Sequence, residues 1–519
     1  MFLLAACASA PVAETLPPPG QNAQTEANAD LAAELVKEGN LPAAEQLLRK
    51  AADLAPRDPG VLGNLATVLA MEKKFEESTD FFERALAIDP GNVTLRRYLA
   101  ANQWQLHRFP EAKQNLQIVL KEKPGDQPTM LLLGMVSENM KDYATAAKML
   151  AAVPALVHQQ PESIAALARS YYHIGRRQEA RATLDELQTH PAGTEAVLLG
   201  THIADEMHDY EEAKKLLASI PTTSFDQATV GYSLALVEYH AKQFDESQQT
   251  LLQMLNAGTK SSQIYNLLGW CYQQQRQAGQ ATDAMEQAIR LDPAQESNFL
   301  DLGQILLANG SLPAALALAR RTVQAFPDSS SAYVLKGETE LKVSQFTDAI
   351  DSYSAALRLD PASAAAALGL AKAQFGAGRI KDATASFEAG TRKFPRDARF
   401  PLQYALALLK EADTGNAHAG ALAGQLLKSA LALDPSLAEA HYQLGVIALN
   451  RGQDAEALAH LRAAAKLDPA SPATHFALSR LYRRLGRKLD SSNEMALYQK
   501  LEASQSPPTS GQADEQPPN

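Results

Sequence analysis

The sequence predicts an all-α chain, a right-handed superhelical solenoid of about fourteen helical hairpins, and three periodic columns of residues carry that prediction. The first column is a small residue at Ala44, Ser78, Ala112, Ala146, Ala180, Ala213, Ser247, Ala281, Ala315, Ala349, Ala383, Ala423, Ala457 and Ser491. Eleven of its thirteen intervals are 34 residues, the others 33 and 40, but alanine is common here, so an independent second column has to support the series. The second column stands twelve residues earlier: Ala32, Ala66, Ala100, Gly134, Ala168, Thr201, Ala235, Gly269, Gly303, Gly337, Ala371, Gly445 and Ser479. Ala405 completes it if the 40-residue unit carries its extra residues between its helices. Two small columns at that offset are what two antiparallel helices need where their backbones approach closely, because a bulky side chain there wedges them apart.

Proline forms the third column, at Pro56, Pro90, Pro124, Pro293, Pro327, Pro361, Pro395, Pro435 and Pro469. Lacking an amide proton and pushing its predecessor out of the helical region, it ends each second helix and separates one unit from the next. Between the two helices of a unit, Gly39, Gly175, Gly310, Gly378, Gly452 and Gly486 offer the left-handed conformation that closes a helix.

These columns resemble the tetratricopeptide repeat, best seen in Tyr265, Leu268, Gly269, Tyr272, Ala281, Met285, Ala288 and Pro293, and again in Tyr333, Gly337, Ala349, Tyr353, Ala356 and Pro361. The resemblance covers residues 25–502 as one continuous solenoid. The stretches 154–161, 221–227 and 256–262 lack the usual Asp-Pro ending, so the local pitch is expected to change there, and 411–420 reads as an inserted surface loop. At the carboxyl end Met495, Leu497 and Leu501 read as the inward face of a capping helix. Residues 503–519, rich in Pro, Gln, Ser and Gly, are expected to be disordered.

Residues 1–24 read as the remnant of a lipoprotein signal followed by a Pro-rich linker. Leu4, Ala5, Ala6 and Cys7 match the processing box of bacterial lipoproteins, although no Lys or Arg precedes Lys37 and only six apolar residues precede Cys7. That resemblance implies lipidation at Cys7, a membrane tether and a location in the cell envelope facing the periplasm, with Ala8 pointing to the outer membrane. Without an anchor the location is cytoplasmic.

Composition narrows the function. The chain of 519 residues carries a formal charge of -11, which repels a phosphate backbone, so nucleic acid is not an expected partner. Cys7 and Cys271 are its two cysteines and leave no disulfide framework. No phosphate-cradling Gly-rich loop, Gly-x-Ser-x-Gly elbow or His-Glu-x-x-His helix occurs, so no enzyme, cofactor or metal is expected. His441 and His475, one repeat apart, read as packed aromatic substitutes, with a metal pair as the sharper alternative.

What the resemblance implies instead is a scaffold that binds proteins or peptides on the concave surface lined by the first helix of each unit. In a bacterial envelope it would organise an export, pilus or polysaccharide-secretion apparatus; the alternative is a cytosolic adaptor or chaperone-like binder. Carrying over the family's groove-facing positions selects Trp104, Tyr172 and Tyr239, with Arg97, Arg169, Asn266, Trp270 and Gln273 nearby. Rigid aromatics suit peptide capture. The competing reading packs them between neighbouring helices. On the groove reading, alanine at Trp104 and Tyr172 weakens capture and leaves the melting temperature unchanged. Arg480, Arg483, Arg484 and Arg487 share one helical face near a helix end, either as a solvated terminus favoured by the macrodipole or as a contact for an acidic peptide.

Overall fold

The small residues of the two columns are buried, all but Ser491, which is partly so. The structure, a computed structural model, describes residues 23–221, 227–412 and 417–505. The chain divides into two units, Met1–Lys260 and Ser261–Asn519. In the first, seven hairpins follow one another: Ala23–Lys37 with Leu41–Leu54, Pro59–Met71 with Phe75–Ile88, Val93–Gln105 with Phe109–Glu122, Gln127–Asn139 with Tyr143–Ala151, Pro161–His173 with Arg177–Asp185, Thr194–Glu206 with Tyr210–Ala218, and Gln227–His240 with Phe244–Asn256. The second holds seven more: Ser262–Gln274 with Ala278–Leu291, Glu296–Ala308 with Leu312–Ala325, Ser330–Lys342 with Phe346–Leu359, Ala364–Gly376 with Ile380–Lys393, Arg399–Ala412 with Ala417–Leu433, Ala438–Asn450 with Asp454–Leu467, and Pro472–Arg484 with Lys488–Gln505. No strand occurs among the described residues. We call the helices of each hairpin A and B and number the repeats one to fourteen.

The chemistry of the crossing explains the columns. A Cβ added at Gly134 would lie 2.5 Å from Leu150 Cγ, one at Gly269 2.8 Å from Met285 Cγ, and one at Gly445 2.6 Å from Leu461 Cγ. In each case the obstacle is the large B-helix side chain sixteen residues on, which fills the space over the small A-helix residue. Where serine occupies the crossing it adds a hydrogen bond: Ser247 Oγ donates to the Ala235 carbonyl at 2.7 Å, and Ser479 and Ser491 exchange hydroxyl-to-carbonyl bonds of 2.9 Å. Ala405 and Ala423 are both buried, so repeat twelve crosses as the others do despite its six extra residues. The insertion differs from the expected loop, because 411–412 and 417–420 are helical and Ala419 is buried. Its alanine-rich sequence extends the B helix by a turn at little entropic cost.

The irregular region is one of shortened B helices. Those of repeats four, five and six run only nine residues, against fourteen in repeats two and three. Pro154 and Pro221 arrive early after the small residue, and proline stops a helix a few residues before itself. The short helix Pro154–Val157 and the 3-10 turn Glu186–Thr189 take over, inserting Val157 and Leu187 into the core. At the carboxyl end, Leu497 is 44% exposed, contrary to its expected inward role, because among the described residues nothing packs over that side of the last B helix.

All six predicted turn glycines have φ between 69° and 79°. Seven other repeats place Lys73, His107, Lys141, His208, Lys242, Arg276 and Ser344 in the same left-handed conformation. A Cβ there costs roughly 1–2 kcal/mol, more than the extra unfolded-state entropy of glycine at about 0.5–1 kcal/mol. Lys242→Gly, at an exposed turn with φ 61°, is therefore expected to stabilise the chain by about 0.5–1 kcal/mol, read as a higher urea midpoint. A lower midpoint would show that the lysine holds the turn in some other way.

Candidate protein-interaction surface

Within each unit, successive A helices touch one another repeatedly, whereas successive B helices do not approach to the same extent. A stack whose elements are closer on one side curves toward that side, so the A helices line its inner face. The residues selected from sequence lie on these helices, and most are tied to a neighbouring repeat.

In the first unit, Arg97 Nη1 donates to both carboxylate oxygens of Asp126, the N-cap of the next A helix, at 3.0 and 3.1 Å. Burial pushes the Asp126 carboxyl up, but the Thr129 hydroxyl and Arg97 outweigh it and hold it below the ordinary range. Arg169 bridges Glu138 at 2.7 Å and Glu206 at 3.4 Å, joining the A helices of three repeats. Trp104 packs against the cores of repeats three and four and of repeats four to seven. The Tyr172 hydroxyl donates to Asp209 Oδ2 at 2.9 Å. Tyr239 meets Phe244 edge-on, with ring centroids 5.4 Å apart. Tyr172 and Trp104 thus pack and bond between repeats, as the competing reading from sequence has it, and alanine at both is expected to lower the melting temperature.

In the second unit, Asn266 Nδ2 donates to Asp301 at 2.7 Å and to Asn298 at 3.1 Å. Gln273 and Asn309 exchange side-chain amide bonds of 2.9 and 3.1 Å. Trp270 is half-buried. Arg480 and Arg483 are exposed, while Arg484 donates to the Leu449 carbonyl at 2.7 Å and pairs with Asp454, securing the last repeat to the one before. Arg487 pairs with Asp490 at 2.6 Å and lies over the Tyr482 ring. The structure does not gather these residues into one site; they are distributed along both inner faces. Cys7 lies outside the described residues.

His441 and His475 do not contact each other. Each reaches the B helix of its own hairpin, His441 Nδ1 lying 3.0 Å from His460 Nδ1 and His475 Nδ1 2.6 Å from Glu494. Burial and the facing His441 hold the His460 imidazole below its usual range. Among the described residues no group of three or more His, Cys, Asp or Glu is arranged to hold a metal ion, and no helix is long and apolar enough to cross a membrane.

Two features were missed from sequence. One is a cross-repeat rung built from the residue just after the B-helix small position: Lys74 to Glu45 at 2.9 Å, Lys113 to Asp142 at 2.7 Å, Arg181 to Asp209 at 2.6 Å and Lys214 to Gln243 at 2.7 Å. Comparing the columns next to the small ones would have found it, since the partners stand 28 or 29 residues apart. The other is a cationic stretch on the A helices of repeats ten to twelve. Lys342, Lys372 and Lys410 have no carboxylate within ion-pairing distance among the described residues, and Lys410 Nζ lies 5.7 Å from the Phe375 ring centroid. Lys372 is partly exposed, yet burial, reinforced by the neighbouring Arg399 and Lys342, holds its ammonium below the ordinary range against the pull of Glu338. Glu338 reaches solvent too, yet burial pushes its carboxyl up. Groups that water touches while protein surrounds them at longer range belong to a concave surface.

The geometry defines a class first: a helical-hairpin repeat protein in which each hairpin is completed by its neighbours. The chain belongs to the tetratricopeptide repeat family. Three models described as tetratricopeptide repeat match residues 69–134 and 340–400, residues 30–93, 266–330 and 300–364, and residues 438–471. Among curated proteins, the chain is 22% identical over 340 residues to the "Protein CTR9 homolog" of Arabidopsis thaliana, covering 62% of this chain and 31% of that protein. It is 28% identical over 207 residues to the human "Protein O-mannosyl-transferase TMTC3", covering 39% of this chain and 22% of that one. The match thus spans less than a third of either relative. Among solved structures, similarity extends to the APC/C hetero-tetramer Cut9-Hcn1, with a TM-score of 0.38 and 12% identity over 88% of this chain and 96% of that one. The Naa15/Naa10 complex bound to HypK-THB gives a TM-score of 0.36 and 14% identity over 92% of this chain and 100% of that one.

Proposed function

We propose that this protein is a non-enzymatic scaffold that holds partner proteins or peptides against the A-helix faces of its repeats. The observation that carries this reading is the run of those faces: A helices abut one another along each unit, less so between repeats twelve and thirteen, and carry polar and aromatic side chains. An extended surface of this kind offers many shallow contacts along its length, which suits recognition of a chain.

The test is affinity capture from the native host by the full chain, followed by mass spectrometry. Replacing the inner-face residues Trp270 and Gln304 by alanine is expected to remove specific partners roughly tenfold. Replacing the exposed B-helix residues Lys381 and Lys466 is expected to leave them. Equal recovery from both variants would end the reading.

The finer proposal places the scaffold in a bacterial cell envelope, tethered by lipid on Cys7, and it rests on the Leu4, Ala5, Ala6, Cys7 box and the Pro-rich stretch that follows. Labelled palmitate incorporated by the native chain and lost in Cys7→Ser is the expected result. Absence of label in both would leave the cytosolic adaptor.

A further inference from the structure

The net charge of -11 makes a local excess of cations without an ion-pair partner among the described residues informative, because the chain elsewhere has carboxylates to spare. Lys342, Lys372 and Lys410 stand on the A helices of three consecutive repeats. Glu338 shares their surroundings, yet neither it nor Lys342 nor Lys372 ion-pairs with another of these groups, while Glu340, on the other side of the same helix, pairs with Lys336 at 2.9 Å. Arg399, which acts on Lys372, is held by Asp397 at 2.6 Å and also borders a cavity of about 570 Å³. That cavity has an apolar floor of Phe394, Pro395, Leu433 and Leu437, between the turns that follow the B helices of repeats eleven and twelve. A lysine kept from carboxylates and partly desolvated has little water to lose and gains a full charge-assisted bond when an anion arrives. Phe375, beneath the Lys410 ammonium, adds an apolar surface between the cations.

We propose that the inner face of repeats ten to twelve is a docking site for an acidic peptide segment, with carboxylates at Lys342 and Lys372 and one large apolar side chain in the cavity beside Arg399. This deepens the scaffold reading and rests on it. A long nucleic acid fits less well, because the surrounding negative charge repels a continuous polyanion whereas a short run of carboxylates meets only the local cations.

The experiment is fluorescence anisotropy with the full chain and an acetylated, amidated, fluorescein-labelled peptide carrying one phenylalanine and a short run of glutamates in a Gly/Ser background. Its all-glutamine counterpart is expected to bind roughly tenfold more weakly, and raised salt to narrow the difference. Lys342→Glu with Lys372→Glu is expected to remove binding of the acidic peptide by about tenfold or more, while Lys381→Glu with Lys466→Glu leaves it within about twofold. Glu338→Gln, which deletes the repelling carboxylate, is expected to tighten binding about threefold, a gain that misfolding cannot produce. Equal binding of the glutamine peptide, or indifference to the Lys342 and Lys372 reversals, overturns the proposal. So does a single-stranded oligonucleotide that displaces the peptide through the same two lysines. If the peptide fails while capture dependent on Trp270 and Gln304 persists, this site falls and the scaffold stands; if that capture fails as well, both fall.

Discussion

Gly369→Ala is expected to reverse its sign when Tyr353 is also changed. Tyr353 is fully buried on the B helix of repeat ten, between the A helix of its own hairpin and that of the next. A Cβ on Gly337 would lie 3.0 Å from its ring, and one on Gly369 would fall well inside contact distance of the same ring. Burial, with the charges of Glu338 and Glu340 added, pushes its phenol far up, as expected for a side chain serving as core. In the native background Gly369→Ala therefore overpacks the junction and is expected to cost about 1–3 kcal/mol. Tyr353→Ala empties it, at about 3–5 kcal/mol. In the Tyr353→Ala background the added methyl of Gly369→Ala meets open space, and alanine's helix propensity makes it stabilising by up to about 1 kcal/mol. Thermal melts of the four variants give the coupling, with hydrogen exchange across 330–376 locating it, because an array of repeats can lose one junction before the rest. A coupling under about 0.5 kcal/mol would mean that the ring and the glycine do not share a site.

That junction also shows why so much of the fold was legible. Two backbones can approach only where side chains are small, and the large residue filling the gap recurs at a fixed offset, so Gly337, Ala349 and Tyr353 announce the packing together. The turns were legible only in part. Gly39 reveals a left-handed residue, but Lys73 and His107 adopt the same φ because the hairpin closes around them, and nothing in their chemistry advertises it. Binding residues are harder still, since the inner-face partners, such as Arg97 with Asp126 and Asn266 with Asp301, differ from repeat to repeat and form no column. Trp104 and Tyr172 drew notice as aromatics, yet both are engaged in packing and hydrogen bonding between repeats. The lysines at 342 and 372 are ordinary in sequence, and they become notable only when the stack brings charges from three repeats together, with Glu338 near enough to act on Lys372 but not ion-paired with it.

Asp209→Ala is expected to loosen the junction of repeats five and six more than any other single change of a charged residue in the first unit. Its side chain, 1% exposed, sits at the N-cap of a B helix but makes no capping hydrogen bond. It accepts instead from Tyr172 at 2.9 Å, Arg177 at 2.9 Å and Arg181 at 2.8 and 2.6 Å, all from the preceding repeat. Burial pushes its carboxyl up, but these donors outweigh burial and hold it well below the ordinary carboxylate range. Removing the acceptor leaves three donors without it, and the loss is expected at about 3 kcal/mol, the low end for a broken buried pair, because the two arginines are half exposed and recover water. The pH dependence has a definite sign. A carboxyl with a depressed folded value contributes stability that is complete above its unfolded value, near 3.9, and is lost as pH falls through the folded one. Native and Asp209→Ala stabilities should therefore stay apart from neutral pH down to about 4 and converge below it. Glu212, whose carboxyl burial pushes up, changes stability in the opposite sense, but it is present in both proteins and cancels to first order in the difference. Curves that remain parallel to pH 3, or a neutral-pH cost below about 1 kcal/mol, would show that the arginines hold the junction by packing their stems and not by charge.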